Sequence, residues 1–278
     1  MKSHDLQAYH KHLTDIYDKR SSTHDKSDWH RSTSLKLTDD LTPNVGDYIL
    51  DIGTGTGTIA FHAASLIGPK GKVIGVDISE GMLEQARIKL SSSAFKNIEF
   101  QYADMEHLDF PQNTFDKIYC ANAFFCILRP LQTLTHWRSL IKPGGAIAFH
   151  AIPTSSFFWV SVARDILAEH GFKYVLNTPT GTFETTKRLL KEAGFSNIEI
   201  KVEVKGSYVP LENAKRSWIK RDEFAPGQYP HPVHAVPEDI YLKCQAEYET
   251  RIEKLATQDG VWNDVTMYYV YAAKDECA

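Results

Sequence analysis

The residue types that could do chemistry gather first in one short stretch. "YILDIGTGTGTIAFHAA", Tyr48 to Ala64, sets an acid, Asp51, near the end of an apolar run, with Gly53, Gly55 and Gly57 behind it. Read literally, Gly55-Thr56-Gly57-Thr58-Ile59-Ala60 fits G-x-G-x-x-A, the loop that cradles a dinucleotide pyrophosphate. Asp77 follows about 20 residues on, as that fingerprint asks. Asp51 argues the other way. A pyrophosphate beside a partly desolvated carboxylate is repelled, whereas an ammonium group is attracted. Two further groups end later apolar runs: Asp104 in "ADMEHL", and Asn122 in "CANAFF".

These groups need elements that bring them together. From Tyr48 the chain alternates short apolar runs with helical patterns: "DYILDI", "TIAFHAASLI", "GKVIGVD", "SEGMLEQARIKL", "NIEFQYAD", "FDKIYCAN", "PLQTLTHWRSLI" and "AIAFHAI". Ser79 suits an N-cap, Pro130 a first helical turn, and "KPGG" a turn into the fifth strand. The rhythm predicts an α/β fold, a doubly wound, mostly parallel sheet with helices on both faces. Before it, residues 5–41 read as helical, with Leu6, Tyr9, Leu13, Ile16 and Tyr17 at helical spacing. After it the pattern breaks. "FETTKRLLKEAGF" is a helix closed by Gly194. "SNIEIKVEVKG" alternates with Ile198, Ile200, Val202 and Val204 inward, and "DVTMYYVYAAK" is a last strand. Two strands without a long crossover predict an antiparallel edge. The division expected is an N-terminal helical arm, 1–44, and a main domain, 45–278, with lid insertions at about 154–181 and 209–260.

In such sheets ligands sit at the carboxyl ends of the strands. Asp51, Asp77 and Asp104 converge there. Asp51 suits an ammonium, Asp77 a vicinal diol and Asp104 an exocyclic amine. Amine, ribose and adenine in that order describe S-adenosylmethionine better than a nicotinamide dinucleotide. The glycines then allow close backbone approach.

"ILDIGTGTG", "VIGVDISEGML", "ADMEHLDFPQNTFDKI" and "LIKPGGAIAF" resemble the successive motifs of class I S-adenosylmethionine-dependent methyltransferases. The resemblance is greatest to the broad group that includes ubiquinone/menaquinone-biosynthesis and natural-product enzymes. It implies a Rossmann-like seven-stranded sheet of order 3-2-1-4-5-7-6 with the last strand antiparallel. It implies S-adenosylmethionine as cofactor and S-adenosylhomocysteine as product. Asp51, Gly53, Thr54 and Gly55 would line the methionine moiety, with Gly57 shaping the turn. Asp77 would hold the ribose, and Ile78 and Met82 would pack on adenine. Asp104 would take the adenine amine beside Met105. Asn122 would offer its backbone carbonyl to the ammonium. "IYDKRSSTHDKSDWHR" resembles an arm that folds over the cofactor, with Tyr17 and Trp29 matching its aromatic positions and His24 departing from the second tyrosine.

The methyl acceptor is read from the segments after strand five. "SSFFWV", Tyr174, Phe183, Tyr208 and Trp218 supply aromatic surface, and the proline-rich "APGQYPHPVHAVP" suits a loop over the pocket. Apolar walls with few polar groups fit a hydrophobic or aromatic small molecule, methylated on N, O or C. His150, His231 and His234 are candidate bases or substrate contacts. Two alternatives stay open: a quinone-biosynthesis-type C-methyltransferase, and an NAD(P)-dependent reductase. "KRSWIKRDEF" reads as an amphipathic lid helix rather than a nucleic-acid stripe. A net charge of −4 argues against nucleic-acid partners. His4, His10, His12, His24 and His30 crowd the arm without metal-site spacing, and the four cysteines form no CxxC pair, so no metal is expected. The polar start of the chain and the lack of a long apolar run predict a cytoplasmic protein with no membrane span.

Overall fold

Four strands are buried on both faces, and their composition says why. β1 (Tyr48–Ile52), β2 (Lys72–Asp77), β4 (Phe115–Cys120) and the second half of β5 (Ile141–Ala151) are apolar runs with few interruptions. Strands covered by helices on both sides require such runs. The computed structural model describes residues 3–26, 28–174, 180–221 and 232–276. With β3 (Ile98–Tyr102), β6 (Ser196–Glu203) and β9 (Met267–Ala273) these strands form one sheet, ordered β3-β2-β1-β4-β5-β9-β6. β9 runs antiparallel to both neighbours and the other pairs are parallel. This is the order expected from the sequence, once a separate hairpin-like pair, β7 (Gly206–Val209) and β8 (Val261–Asp264), is set aside.

Alternate residues of each strand feed two cores. Leu50, Ile52, Ile118 and Phe149 face one layer, filled by Trp137 of α5 (Pro130–Leu140) and Leu190 of α7 (Phe183–Glu192). Ile49, Tyr119 and Ala148 face the other. There Ala60 and Ala63 of α3 (Thr58–Ile67) let that helix lie close, beside Leu83 of α4 (Glu80–Ser91) and Leu37 of α2 (Asp28–Asp40). Ser79 caps α4 by accepting from the Met82 N–H at 3.1 Å. A third core lies beyond β5. It joins α6 (Phe158–Glu169), the short α8 (Leu211–Lys215) and α9 (Glu238–Leu255), around Trp218, Tyr241 and Tyr248.

Several local expectations change. The arm is not one helix: α1 (Ser3–Arg20) passes through a 3-10 turn, Ser21–Lys26, into α2. "KPGG" does not precede β5 but bulges within it, since pairing jumps from Phe115↔Ile141 to Lys117↔Ala146. Gly144, at φ 78°, permits that excursion. The last strand breaks in two, because Asp264 accepts from the backbone N–H and hydroxyl of Thr266 and turns the chain between β8 and β9. In β6, Ile198 and Ile200 pack inward, but Val202 is 51% and, just past the strand, Val204 is 75% exposed. That edge strand is covered over its first half only. The expected lid helix at 215–224 is absent through 216–221, where the chain turns, and its remainder lies outside the described residues. Among the described residues no helix is long and apolar enough to cross a membrane.

Candidate functional site

A cavity of about 520 Å³ opens at the carboxyl ends of β1, β2, β4 and β5. That size lies within the roughly 300–1,000 Å³ usual for small-molecule sites. Its floor is the predicted one: Asp51, Gly53, Thr54 and Gly55 after β1, Asp77 and Ile78 after β2, Met105, and Asn122 after β4. Met82 reaches the floor from the first turn of α4. Tyr17 and Trp29 close it from the arm. Gly57 stays behind the wall. It starts α3 at φ 90°, and a Cβ there would meet Phe100 and Phe61 at 2.9 Å. Gly53 is tighter still, since a Cβ would sit 2.6 Å from Ala123 Cβ.

The two floor carboxyls carry the electrostatics. Asp51 is 2% exposed, and its Oδ2 accepts the Thr54 hydroxyl at 2.6 Å. Burial pushes its pKa up to about 7. Asp77 accepts the Gly55 N–H on Oδ2 at 2.8 Å and the Ser79 N–H on Oδ1 at 2.9 Å. Burial outweighs those bonds and pushes it up to about 6. Among the described residues neither carboxyl meets a Lys or Arg side chain. Such a pair favours a ligand that brings an ammonium and hydroxyl donors, and disfavours an anion.

Other groups fix the rim. Trp137 donates to the Met105 carbonyl at 2.8 Å and holds the loop after β3. Glu106 accepts from the backbone N–H groups of Leu128 and Arg129 and ties that loop to the one after β4. Asp104 is not on the cavity wall. Its Oδ2 meets His107 Nδ1 at 2.5 Å and His10 Nε2 at 3.7 Å, and its Oδ1 accepts the Glu106 N–H. The adenine-amine contact expected of it is therefore not set up by its side chain here.

Of the three candidate histidines, His150 is 1% exposed and sits behind Asn122, off the wall. Its pKa is pushed down to about 3 by burial. His234 is exposed on the 3-10 turn Pro232–Ala235, meets the Arg221 carbonyl, and is also off the wall. His231 lies outside the described residues. Phe183 and Tyr208 are exposed at the surface, and Trp218 is buried in the third core. Phe157, Trp159 and Tyr174 do line the cavity, with Phe125 and Ile219.

Sequence reasoning missed the arm's own polar wall: Arg20, Thr23, His24, His30 and Ser34. The one available signal was His24 at a position where the resembling family has tyrosine. His24 Cε1 lies 3.8 Å from where a Gly55 Cβ would be, and its ring is 5.2 Å from that of His30. Burial lowers His24 from its usual value, and burial, then the neighbouring His24, lowers His30 to about 4. Both shifts favour the neutral imidazole.

Two acids latch this arm. Asp18 Oδ1 accepts from Ser79 Oγ at 2.5 Å and from the Gly81 N–H at 2.9 Å, at the start of α4. Asp25 accepts from Thr56 Oγ1 at 2.5 Å and pairs with Lys89 at 2.6 Å. The Lys89–Asp25 pair is half exposed, so its loss is modest: Lys89→Met is expected to speed release of a ligand bound in the cavity about two- to fivefold. Stopped-flow tryptophan fluorescence reads this, and an unchanged off-rate rejects the latch.

Comparison with known proteins bears on the family and the fold. Residues 43–158 match the family model described as a methyltransferase domain. Aklanonic acid methyltransferase DauC of Streptomyces sp. (strain C5) is 33% identical over 144 residues, covering 51% of this chain and 66% of that protein. A demethylmenaquinone methyltransferase of Symbiobacterium thermophilum is 43% identical over 101 residues, covering 36% and 40%. The chain thus spans less than two thirds of these relatives' lengths. Among solved structures, a putative methyltransferase of Bacillus halodurans C-125 superposes with TM-score 0.57 at 20% identity, covering 88% of this chain and 99% of that one. A Haemonchus contortus phosphoethanolamine N-methyltransferase 2, solved with S-adenosylmethionine, gives 0.54 at 18% identity, covering 88% and 52%. These two likenesses concern the fold. The pyrophosphate reading of the glycine loop gives way.

Proposed function

We propose, from the premise that this chain belongs to the class I S-adenosylmethionine-dependent methyltransferases, that it methylates an N, O or C nucleophile of a hydrophobic or aromatic small molecule. The observation that carries the acceptor class is a wall of aromatic side chains, Phe125, Phe157, Trp159 and Tyr174, in the same cavity as the buried carboxyls. Relatives whose names specify aklanonic acid and demethylmenaquinone support small acceptors.

The residues present fit S-adenosylmethionine. Asp51 and the Asn122 carbonyl complement its ammonium, and Asp77 its ribose hydroxyls. Gly53 and Gly55 leave the space its methionine chain needs. Ile78, Met82 and Met105 give adenine an apolar bed, while Tyr17 and Trp29 cover it. Arg20, the one Lys or Arg among the described lining residues, complements the carboxylate. When bound, the cofactor supplies a methyl group already activated on a sulfonium. What remains for the protein is alignment and exclusion of water. The aromatic wall holds the acceptor flat. Where the acceptor must lose a proton, the neutral imidazoles of His24 and His30 are the bases on the wall, in place of His150 and His234.

Phe157 marks the acceptor side by its backbone. It is a non-glycine residue at φ 64°, starts α6, and donates its N–H to the Asp264 carbonyl at 2.7 Å. That conformation is costly for an aromatic residue and aims it, with Trp159 at 4.9 Å between centroids, at the cavity. The test is a panel of phenols, hydroquinones and aryl amines with S-adenosylmethionine, with methylated product read by mass spectrometry. With the acceptor so found, Trp159→Ala is expected to raise its KM about tenfold or more while cofactor affinity stays within about twofold. Loss of cofactor affinity with unchanged acceptor KM would reject this assignment of the wall.

A further inference from the structure

His150 is buried and off the cavity wall, yet its Nδ1 lies 3.0 Å from Asn122 Oδ1. The Asn122 backbone N–H also points at that nitrogen, at the longer distance of 3.3 Å, where it can donate only to an unprotonated Nδ1. Asn122 holds φ 53°, the left-handed region, just past β4. On its other side, Asn122 Nδ2 donates to Thr33 Oγ1 at 3.3 Å. Thr33, buried in α2, donates its own proton back to the Trp29 carbonyl at 2.9 Å, with that of His30 at 3.1 Å.

The proton positions follow from these partners. Thr33 spends its proton on backbone carbonyls, so its oxygen accepts and the Asn122 amino group must face it. The amide oxygen then faces His150 at 3.0 Å, which calls for the imidazole proton on Nδ1, whereas the Asn122 backbone N–H at 3.3 Å calls for the Nδ1 lone pair; the shorter, side-chain contact favours the proton on Nδ1. The result is a one-way chain, His150 to Asn122 to Thr33 to the Trp29 carbonyl. It runs from the inside of the sheet, through the residue beside the cofactor site, to the arm. Among the described residues His150 Nε2 is buried without a partner, and the ring stands edge-on to Tyr269 at 4.7 Å. The imidazole is therefore fixed by packing, and among the described residues its polar contacts are to Asn122.

We propose that His150 is a positioning residue: its Nδ1–H, acting through the Asn122 amide and Thr33, holds the left-handed turn after β4 in register with the arm, and so sets cofactor affinity. This rests on reading Asn122 as a cofactor contact, and is independent of the acceptor.

The experiment is calorimetric titration of the full chain with S-adenosylhomocysteine, with thermal melts as a check of folding. His150→Phe fills the ring's space without the donor, and Thr33→Val cuts the chain at its far end. Each is expected to weaken binding about five- to tenfold, and the double variant no more than either alone. His150→Asn places an N–H where Nδ1–H was, and is expected to bind within about twofold of the parent. Equal losses in His150→Asn and His150→Phe would overturn the directed bond in favour of simple packing. Unchanged affinity in Thr33→Val would overturn the chain, and this arm stands even if His150→Phe fails to fold. Asp77→Ala serves as control. If it weakens binding and neither His150→Phe nor Thr33→Val does, this proposal falls and the cofactor reading survives; if Asp77→Ala also changes nothing, both fall.

Discussion

Replacing Asp51 by asparagine is expected to stabilise the cofactor-free protein at pH 8 and, at the same time, to remove most of its cofactor affinity. Asn keeps the acceptor for the Thr54 hydroxyl, so the local bond survives. The charge is what changes. Burial raises the folded pKa of Asp51 from 3.8 to about 7. An acid raised in this way holds its proton more tightly in the folded chain. Its stabilising share is complete below the unfolded value and is lost as pH rises through the folded one. The variant escapes that loss. Its melting temperature should exceed the parent's at pH 8, by about 2–4 °C for each kcal/mol, by less at pH 5, and should meet it only below the unfolded value of 3.8. An equal difference at both pH values would show that the carboxyl is not the cause. Cofactor affinity moves the other way. Losing one partner of a buried charge pair costs about 3–5 kcal/mol, a hundredfold or more in Kd. In the parent, affinity should fall as pH drops below 7, and more steeply below 6 as Asp77, raised to about 6, also protonates.

Asp77→Ala is the second large effect. The side chain accepts from Gly55 and Ser79, so it shapes the glycine loop as well as offering lone pairs to a ribose. Hydrogen bonds to a charged group contribute about 1.5–3 kcal/mol, so binding of S-adenosylhomocysteine should weaken about ten- to 150-fold. A cofactor analogue lacking both ribose hydroxyls separates the two roles. If the ribose contact dominates, parent and variant bind the analogue alike. If the variant weakens the analogue as much as the natural product, Asp77 acts only through the loop.

The legible part of this protein is the part built from local signals. β1, β2 and β4 are apolar runs that end in or just before polar groups. Strand ends in a parallel sheet point one way, so Asp51, Asp77 and Asn122 had to share an edge. The break of the arm at Ser21–Lys26 was harder to see, because no glycine or proline marks it. Asp104 stands off the cavity wall because its carboxylate has nearer partners: His107, three residues on, and His10, delivered by a helix more than ninety residues away in sequence. Val202 followed a strict alternation and still came out exposed, because alternation names a face without saying whether anything covers it.

By itself the sequence determined a mostly parallel sheet, the edge of it where ligands sit, and a loop that favours an ammonium over a phosphate. Those follow from periodicity, from glycine spacing and from the sign of one charge. Only the tertiary structure decided which side chains reach the cavity. His150 and Trp159 both follow β5 closely in sequence or belong to it, yet one is walled off behind Asn122 and the other faces the space. That choice depends on strand phase, on the left-handed turns at Asn122 and Phe157, and on an arm latched through Asp18 and Asp25. Each joins residues distant in the chain, and no local pattern records such a pairing.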